Sequence, residues 1–320
     1  MGYPRMGVMF SVTDGGNNKV FGRQYALVPL VFLTPGKPAR GPVRFEMQLG
    51  LGAGFYDRPY HPDKNPDNML FAGQAIWHFQ LGLGMTASLR QHMAVQGGIL
   101  WTHGSSGHTR LPSVGWNVFA ARLSFRGLFT AKKQHYTNDT SYTFDKKIRF
   151  GFRIGVGWMQ RGDAFTDVTP GKQYYVLNGS FFVSRRLGKI YKLQTGLIYR
   201  YYENYARAIK DWQVAEKHSF LQSSALIWYI GNELQFGRFS FQVDVGANLY
   251  KPFFQTYFNQ IEKGNRVTYW TQQILTTRIG AGVYVLDPYK HPGHNVFFHA
   301  HVNANVGQAE FTELGIGYVF

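Results

Sequence analysis

The chain has 320 residues, 44% of them hydrophobic and 17% aromatic but only 16% charged, with a formal net charge of +16. It contains no cysteine, which excludes a disulfide framework and thiol chemistry. Mean hydropathy is −0.25 and no apolar run approaches the ~18 residues of a spanning helix, so a membrane location would have to be built from alternating strands.

The opening run YPRMGVMFSV is short and gives way to the loop signal DGGNN. Residues 23–33 form a second apolar run that ends in a turn at Thr34-Pro35-Gly36. Alternation is clearest next. Val43, Phe45, Met47, Leu49, Leu51, Ala53 and Phe55 share one face, and Arg44, Glu46, Gln48, Gly50, Gly52 and Gly54 the other. One side suits hydrocarbon and the other a polar lumen. The polar loop YDRPYHPDKNPDN leads into 71–89, and a tight turn at Arg90-Gln91 precedes two alternating runs spanning 93–125.

In the first of these runs Val95, Gly97, Ile99, Trp101, His103 and Ser105 lie together; in the second Asn117, Phe119, Ala121, Leu123 and Phe125 do. An imidazole, a hydroxyl and an amide therefore end an apolar stripe. That is an odd place for polar groups unless the substrate is itself apolar. After a polar loop around 132–145, Ile148, Phe150, Phe152, Ile154, Val156 and Trp158 face away from Arg149, Gly151, Arg153, Gly155 and Gly157. Further runs cover roughly 173–187, 189–204, 218–236, 238–250, 272–286, 294–305 and 309–320.

The pattern predicts an all-β fold over 1–320: a single antiparallel transmembrane β-barrel of about 14 strands, between about 12 and 14. Long polar connections near 56–70, 161–172, 205–217 and 251–271 fall on one side and tight turns near 90, 188 and 237 on the other. With short turns periplasmic, the hairpin carrying His103 and Ser105 is expected at the outer rim. VQGGILWTH at 95–103 lines up with LQTGLIYRY at 193–201, a weak internal repeat in which Tyr201 replaces His103 and Glu203 replaces Ser105.

Three features resemble the PagL-type lipid A 3-O-deacylases and their longer Bacteroidetes relatives, the acyloxyacyl hydrolases: His-Gly-Ser at 103–105, Pro112, and Gly115-Trp116-Asn117. GYPRMGV, QYALVPLVF and KNPDN are similar to segments of the longer relatives. The resemblance covers about residues 1–130, leaving 146–320 as additional barrel strands. It implies hydrolysis of the ester joining a 3-hydroxyacyl chain to lipid A, with Ser105 as nucleophile and His103 as its base. The third family member is a glutamate, for which this chain has Asn117; an amide can orient an imidazole but supplies no full charge. Ser106 stands where the family has an oxyanion-hole asparagine, and Ser106 with the backbone around Gly107 is the expected replacement. No cofactor and no metal are implied.

The expected partners are lipid A or lipopolysaccharide, the bacterial outer membrane, and the barrel-assembly machinery, whose signal the last strand resembles with Leu314, Ile316, Tyr318 and terminal Phe320 on one face. A signal peptide is absent from the opening residues and is expected to have been removed or truncated. Lys and Arg are scattered without a dense tract, which favours an anionic membrane surface over nucleic acid.

Other readings compete with these. His-x-Ser by itself fits a rim histidine and a loop serine, and a non-catalytic barrel, whether channel, transport or structural protein or inactive deacylase relative, accounts for the same strands. His103 and His108 lack further ligands for a metal. Among His291, His294, His299 and His301, the alternation puts His299, His301 and Asn303 toward the lumen as hydrogen-bonding groups. Arg44, Arg122, Arg149 and Arg153 read as lumen partners, and no helix follows GLGAG at 50–54, which argues against a nucleotide site.

Overall fold

The computed structural model describes residues 4–34, 43–90, 93–127, 144–162, 171–215, 217–262, 264–305 and 307–320. Pro35-Gly36, Gln91 and most of the connections at 132–145 and 161–172 lie outside the described residues. The fold is all-β, with 63% strand and 11% helix. Among the described residues there are fourteen strands, divided between two sheets. Six make one sheet and eight make a closed barrel, so the expected single barrel is not confirmed. The reason lies in what alternation encodes. It fixes which face of a strand is buried, but not which strand closes the ring.

Contacts divide the chain into two compact units, Met1–Ser106 with Val114–Thr143 and Gly107–Ser113 with Phe144–Phe320. The first holds β1 (Arg5–Asp14), β2 (Arg23–Leu33), β3 (Val43–Tyr56), β4 (Ala75–Arg90), β5 (Met93–Ser105) and β6 (Trp116–Gly127). Each strand pairs antiparallel with the next. Glu46 of β3 accepts from Thr86 Oγ1 at 2.9 Å, Gln96 Nε2 at 3.2 Å and Arg126 Nη2 at 2.9 Å, and also from Arg5. Arg5 and Arg126 come from the two outermost strands, so the sheet curls around a polar interior. Its other face is apolar and bare: Ile99, Phe119, Leu123 and Phe125 are 64–81% exposed.

The second unit holds β7 (Ile148–Gln160), β8 (Gln173–Arg186), β9 (Tyr191–Tyr202), β10 (Ser224–Phe236), β11 (Phe239–Tyr250), β12 (Leu275–Tyr284), β13 (Asn295–Asn305) and β14 (Gln308–Val319). The ring closes where β14 pairs with β7, Tyr318 opposite Phe152. Arg153, Arg200, Glu233, Gln242, Asp244, Arg278, His301, Asn303 and Glu313 fill its interior and are at most 2% exposed. Charged side chains survive such burial only when paired. Arg278 donates from Nε and Nη2 to Asp244 Oδ2 at 2.8 and 2.5 Å, and Lys192 lies 2.6 Å from Glu233.

One end of this barrel carries helices α1 (Glu203–Trp212), α2 (Ser219–Gln222), α3 (Phe254–Tyr257) and α4 (Arg266–Ile274), with a π-helical turn at Phe258–Glu262. Tyr205, Ala208 and Ile209 form the buried stripe of α1 at helical spacing, and they pack with Tyr202, Phe253, Phe254, Tyr257, Phe258 and Phe311 as an aromatic cap. The opposite end includes the tight turns at 187–190 and 237–238. The connections at 205–217 and 251–271, polar loops in the sequence reading, are thus largely helical. Their polar residues cover one helix face while the aromatics cover the barrel end.

Candidate functional site

The site expected from the sequence is built on β5 and β6. Their register sets His103 opposite Asn117 and Gly104 opposite Trp116, while β4 sets Phe79 opposite His103 and Trp77 opposite Ser105. Directly opposed residues bring their side chains together, and His103 Nδ1 lies 3.0 Å from Asn117 Oδ1. With the amide oxygen accepting from Nδ1–H, the lone pair belongs to Nε2, the tautomer a general base requires. Ser105 follows two residues later on the same strand, hence on the same face.

The surroundings are aromatic. The His103 ring lies 6.2 Å from that of Trp101, which contacts Phe79 at 5.3 Å and stacks on Phe119 at 6.3 Å. Exposure decreases across the three polar groups: Asn117 is exposed, His103 half-buried and Ser105 only 8% exposed.

Beneath this face a second aromatic group fixes the hairpin. Tyr56 and Phe71 meet edge-on at 4.7 Å, and Trp116 packs against Phe71 at 5.8 Å and Tyr56 at 6.3 Å. A Cβ on Gly104 would stand 2.2 Å from Trp116 Nε1, so the residue between His103 and Ser105 must be glycine for the indole to lie there. Gly115 has φ +70°, and a Cβ on it would meet the Gly104 carbonyl at 2.6 Å. The β3–β4 loop grips the hairpin end through Val114 N–H to Met69 O at 3.3 Å and Gly115 N–H to Leu70 O at 3.0 Å. That loop is itself held by Asn65 Nδ2, which donates to Val20 O at 2.9 Å, and by Asn68 Nδ2, which donates to Arg58 O at 2.6 Å. The KNPDN motif therefore supports the hairpin and carries no chemistry of its own. Trp116 and Gly115 thus fix the geometry of the hairpin end.

The expected oxyanion pair, Ser106 and Gly107, is buried. Ser106 ends the first unit's segment and Gly107 begins the stretch that clusters with the second. Gly107 has φ +61°, and its carbonyl accepts from Thr312 Oγ1 at 3.5 Å. The same stretch is anchored by Gln160 N–H to His108 O at 3.0 Å, Leu111 N–H to Gln160 Oε1 at 3.2 Å and Gln173 Nε2 to Thr109 O at 2.8 Å. Pro112 is buried within it.

The C-terminal histidines separate. His294 Nδ1 bonds Tyr318 Oη at 2.8 Å and His291 lies in the 285–294 connection, whereas His299 and His301 meet in the lumen at 3.0 Å. Glu313 joins them, a neighbour that strand alternation could orient but not bring into register. Arg122 bonds Gln48, and Arg153 Nη2 donates to Gln194 Oε1 at 2.7 Å. Arg149 is held instead by Asp145 at 2.5 Å.

No family model and no curated protein matches the chain. Among solved structures, the toluene transporter TodX of Pseudomonas putida aligns over 99% of this chain and 86% of its own at 7% identity, with a TM-score of 0.20. The CymD monoaromatic hydrocarbon channel aligns over 99% and 85% at 11% identity, TM-score 0.20. A variant of the Rh. blastica porin aligns over 99% and 98% at 8% identity, TM-score 0.19. Scores this low carry no argument about the fold or activity of this chain.

Proposed function

We propose that the chain is a bacterial outer-membrane β-barrel protein whose β5–β6 hairpin hydrolyses a lipid ester, with lipid A as the substrate class. The observation that carries the reading is the 3.0 Å contact between His103 Nδ1 and Asn117 Oδ1, with Ser105 next on the same apolar face. Membrane placement is supported by the bare apolar exteriors and polar interiors of both units, and by strands of 10–16 residues, against the ~9–11 needed to cross hydrocarbon. The filled interior of the closed barrel argues against a water-filled channel through that unit. Leu314, Ile316 and Tyr318 on the outward face before Phe320 support recognition by the assembly machinery.

In this reading Nε2 of His103 takes the Ser105 hydroxyl proton as Oγ attacks the ester carbonyl. Collapse of the tetrahedral intermediate breaks the bond to the sugar oxygen, which leaves as a hydroxyl with the proton from His103. Water, deprotonated by the same imidazole, then releases the fatty acid and restores Ser105. Backbone N–H groups near Ser106 and Gly107 are the candidates for the oxyanion.

The second reading is a non-catalytic outer-membrane barrel, such as a channel, a transport or structural protein, or an inactive deacylase relative. Two observations on this chain favour it: Asn117 supplies no charge to an imidazolium, and Ser105 is 8% exposed. Incubating the full chain with lipopolysaccharide in detergent micelles and measuring released 3-hydroxy fatty acid separates the readings. Release by wild type and none by folded Ser105→Ala supports the esterase; no release by wild type supports the second reading.

A further inference from the structure

The closed barrel of the second unit holds a cluster that the esterase reading does not use. His299 and His301 of β13 and Glu313 of β14 present one ligand atom each, all within 4.8 Å of one another, and the three residues are 4%, 0% and 1% exposed. His299 Nδ1 lies 3.0 Å from His301 Nδ1 and 3.8 Å from Glu313 Oε1.

The tautomers follow from what each ring's other nitrogen meets. Gln242 Nε2 is turned to Ser240 Oγ at 3.3 Å, so its oxygen faces His301 Nε2 at 2.9 Å. An acceptor there requires N–H at Nε2 and leaves a lone pair on Nδ1. His299 Nε2 completes no hydrogen bond, but it stands beside the Ile154 carbonyl. A Cβ on Gly315 would be 2.5 Å from that nitrogen and 2.3 Å from that oxygen. A carbonyl beside Nε2 likewise calls for N–H and leaves the Nδ1 lone pair. Two lone pairs then face each other at 3.0 Å with a carboxylate oxygen close by, an arrangement that a metal cation satisfies and that, without one, requires a proton between the two rings.

The carboxylate is prepared in the same way. Glu313 Oε2 is occupied by Asn178 Nδ2 at 2.6 Å and Asn303 Nδ2 at 2.9 Å, which leaves Oε1 for the histidines. The other buried carboxylates of this barrel are paired with cationic side chains: Asp244 with Arg278 and Arg153, Glu233 with Lys192, and Glu310 with Arg200 and Lys251. Among the described residues, the direct ion-pair contact of Glu313 is with His299, while Arg278 and Arg200 act on its charge from further away.

We infer that His299 Nδ1, His301 Nδ1 and Glu313 Oε1 form a buried site for a divalent transition metal of the zinc class. Two imidazoles and a carboxylate are a donor set for that class, and ligands about 2.0–2.2 Å from a tetrahedral zinc stand roughly 3.3–3.5 Å apart, between the contacts observed. Gln242, Asn178 and Asn303 supply the outer hydrogen bonds that orient such ligands. The site would join β13 to β14 inside the ring, its three protein ligands leaving the fourth tetrahedral position open.

The test uses the full-length, tag-free chain folded in detergent with zinc, then dialysed against metal-free buffer. The expected result is one zinc per chain, a fall in unfolding temperature when a strong chelator removes it, and recovery on re-addition. His299→Gln and Glu313→Gln are expected to lose the zinc while keeping the gel-mobility shift of a folded barrel. Gln242→Leu is expected to bind about 10–100-fold more weakly. If either ligand variant does not fold, X-ray absorption of the zinc-bound wild type decides: two imidazoles and a carboxylate support the site. No retained zinc in wild type, undiminished zinc in both folded ligand variants, or a different donor set overturns it, the first leaving a proton shared by the two imidazoles.

Discussion

At the scale of single residues, the proposed esterase turns on Asn117. It sits opposite His103 and holds Nδ1 at 3.0 Å, so orientation is provided and charge is not. When an amide replaces the acid of a serine triad, activity falls by ~10⁴, although much of that loss reflects a wrong tautomer, and here the amide oxygen faces the ring. Asn117→Glu is therefore expected to raise the rate of acyl release and Asn117→Ala to lower it, read as initial rates on lipopolysaccharide micelles. The shared face of His103 and Ser105 was legible because period-2 alternation places i and i+2 residues together whatever the fold, whereas the role of Asn117 was named only through the family resemblance and its side chain reaches His103 through the β5–β6 register. The metal candidates were only half legible. His299 and His301 share a face in the sequence, but Glu313 joins them through the β13–β14 register, in which it pairs with His301.

At the scale of elements, each unit is organised around buried charge. Glu46 gathers arginines from β1 and β6, and removing one partner of a buried pair costs about 3–5 kcal/mol. Glu46→Leu is expected to destabilise the first unit by less than that, seen as a lower denaturant midpoint, because Arg5 and Arg126 are 37% and 26% exposed and stay partly solvated when unpaired. Just ahead of β7, Asp145 is buried in part, which raises its affinity for a proton. The Arg149 guanidinium and the Lys147 backbone N–H outweigh this and hold its pKa below the ordinary carboxylate value. The folded state thus favours the ionised form. Its contribution is present above the unfolded value of about 3.9 and is lost as pH falls through the lower folded value. Wild type and Asp145→Asn are expected to differ in unfolding midpoint at pH 6 and to converge below pH 4 as measured by tryptophan fluorescence. Strand positions were legible because their alternation is sustained over many residues. The helices of the aromatic cap were not: α1 is 10 residues long, and its buried Tyr205, Ala208 and Ile209 lie among polar neighbours that read equally well as a loop.

At the scale of the whole chain, the sequence carried the class of architecture but not its partition. An all-β chain with apolar exteriors and polar interiors follows from alternation alone. Eight strands closing through β14 and β7 does not, because alternation sets the faces of a strand and not its partners. The filled interior of the closed barrel, with an aromatic cap over one end, gives an expected outcome in planar bilayers: the wild-type protein shows no porin-scale conductance. Open-channel currents would favour the non-catalytic reading.

The most direct test of the central claim is the lipid A mass spectrum of outer membranes from Gram-negative cells producing either the wild-type chain or Ser105→Ala at equal folded levels. The account expects wild type to remove the mass of a 3-hydroxyacyl chain and the variant to leave lipid A intact. Lipid A left intact by wild type, or trimmed equally by both proteins, would contradict it.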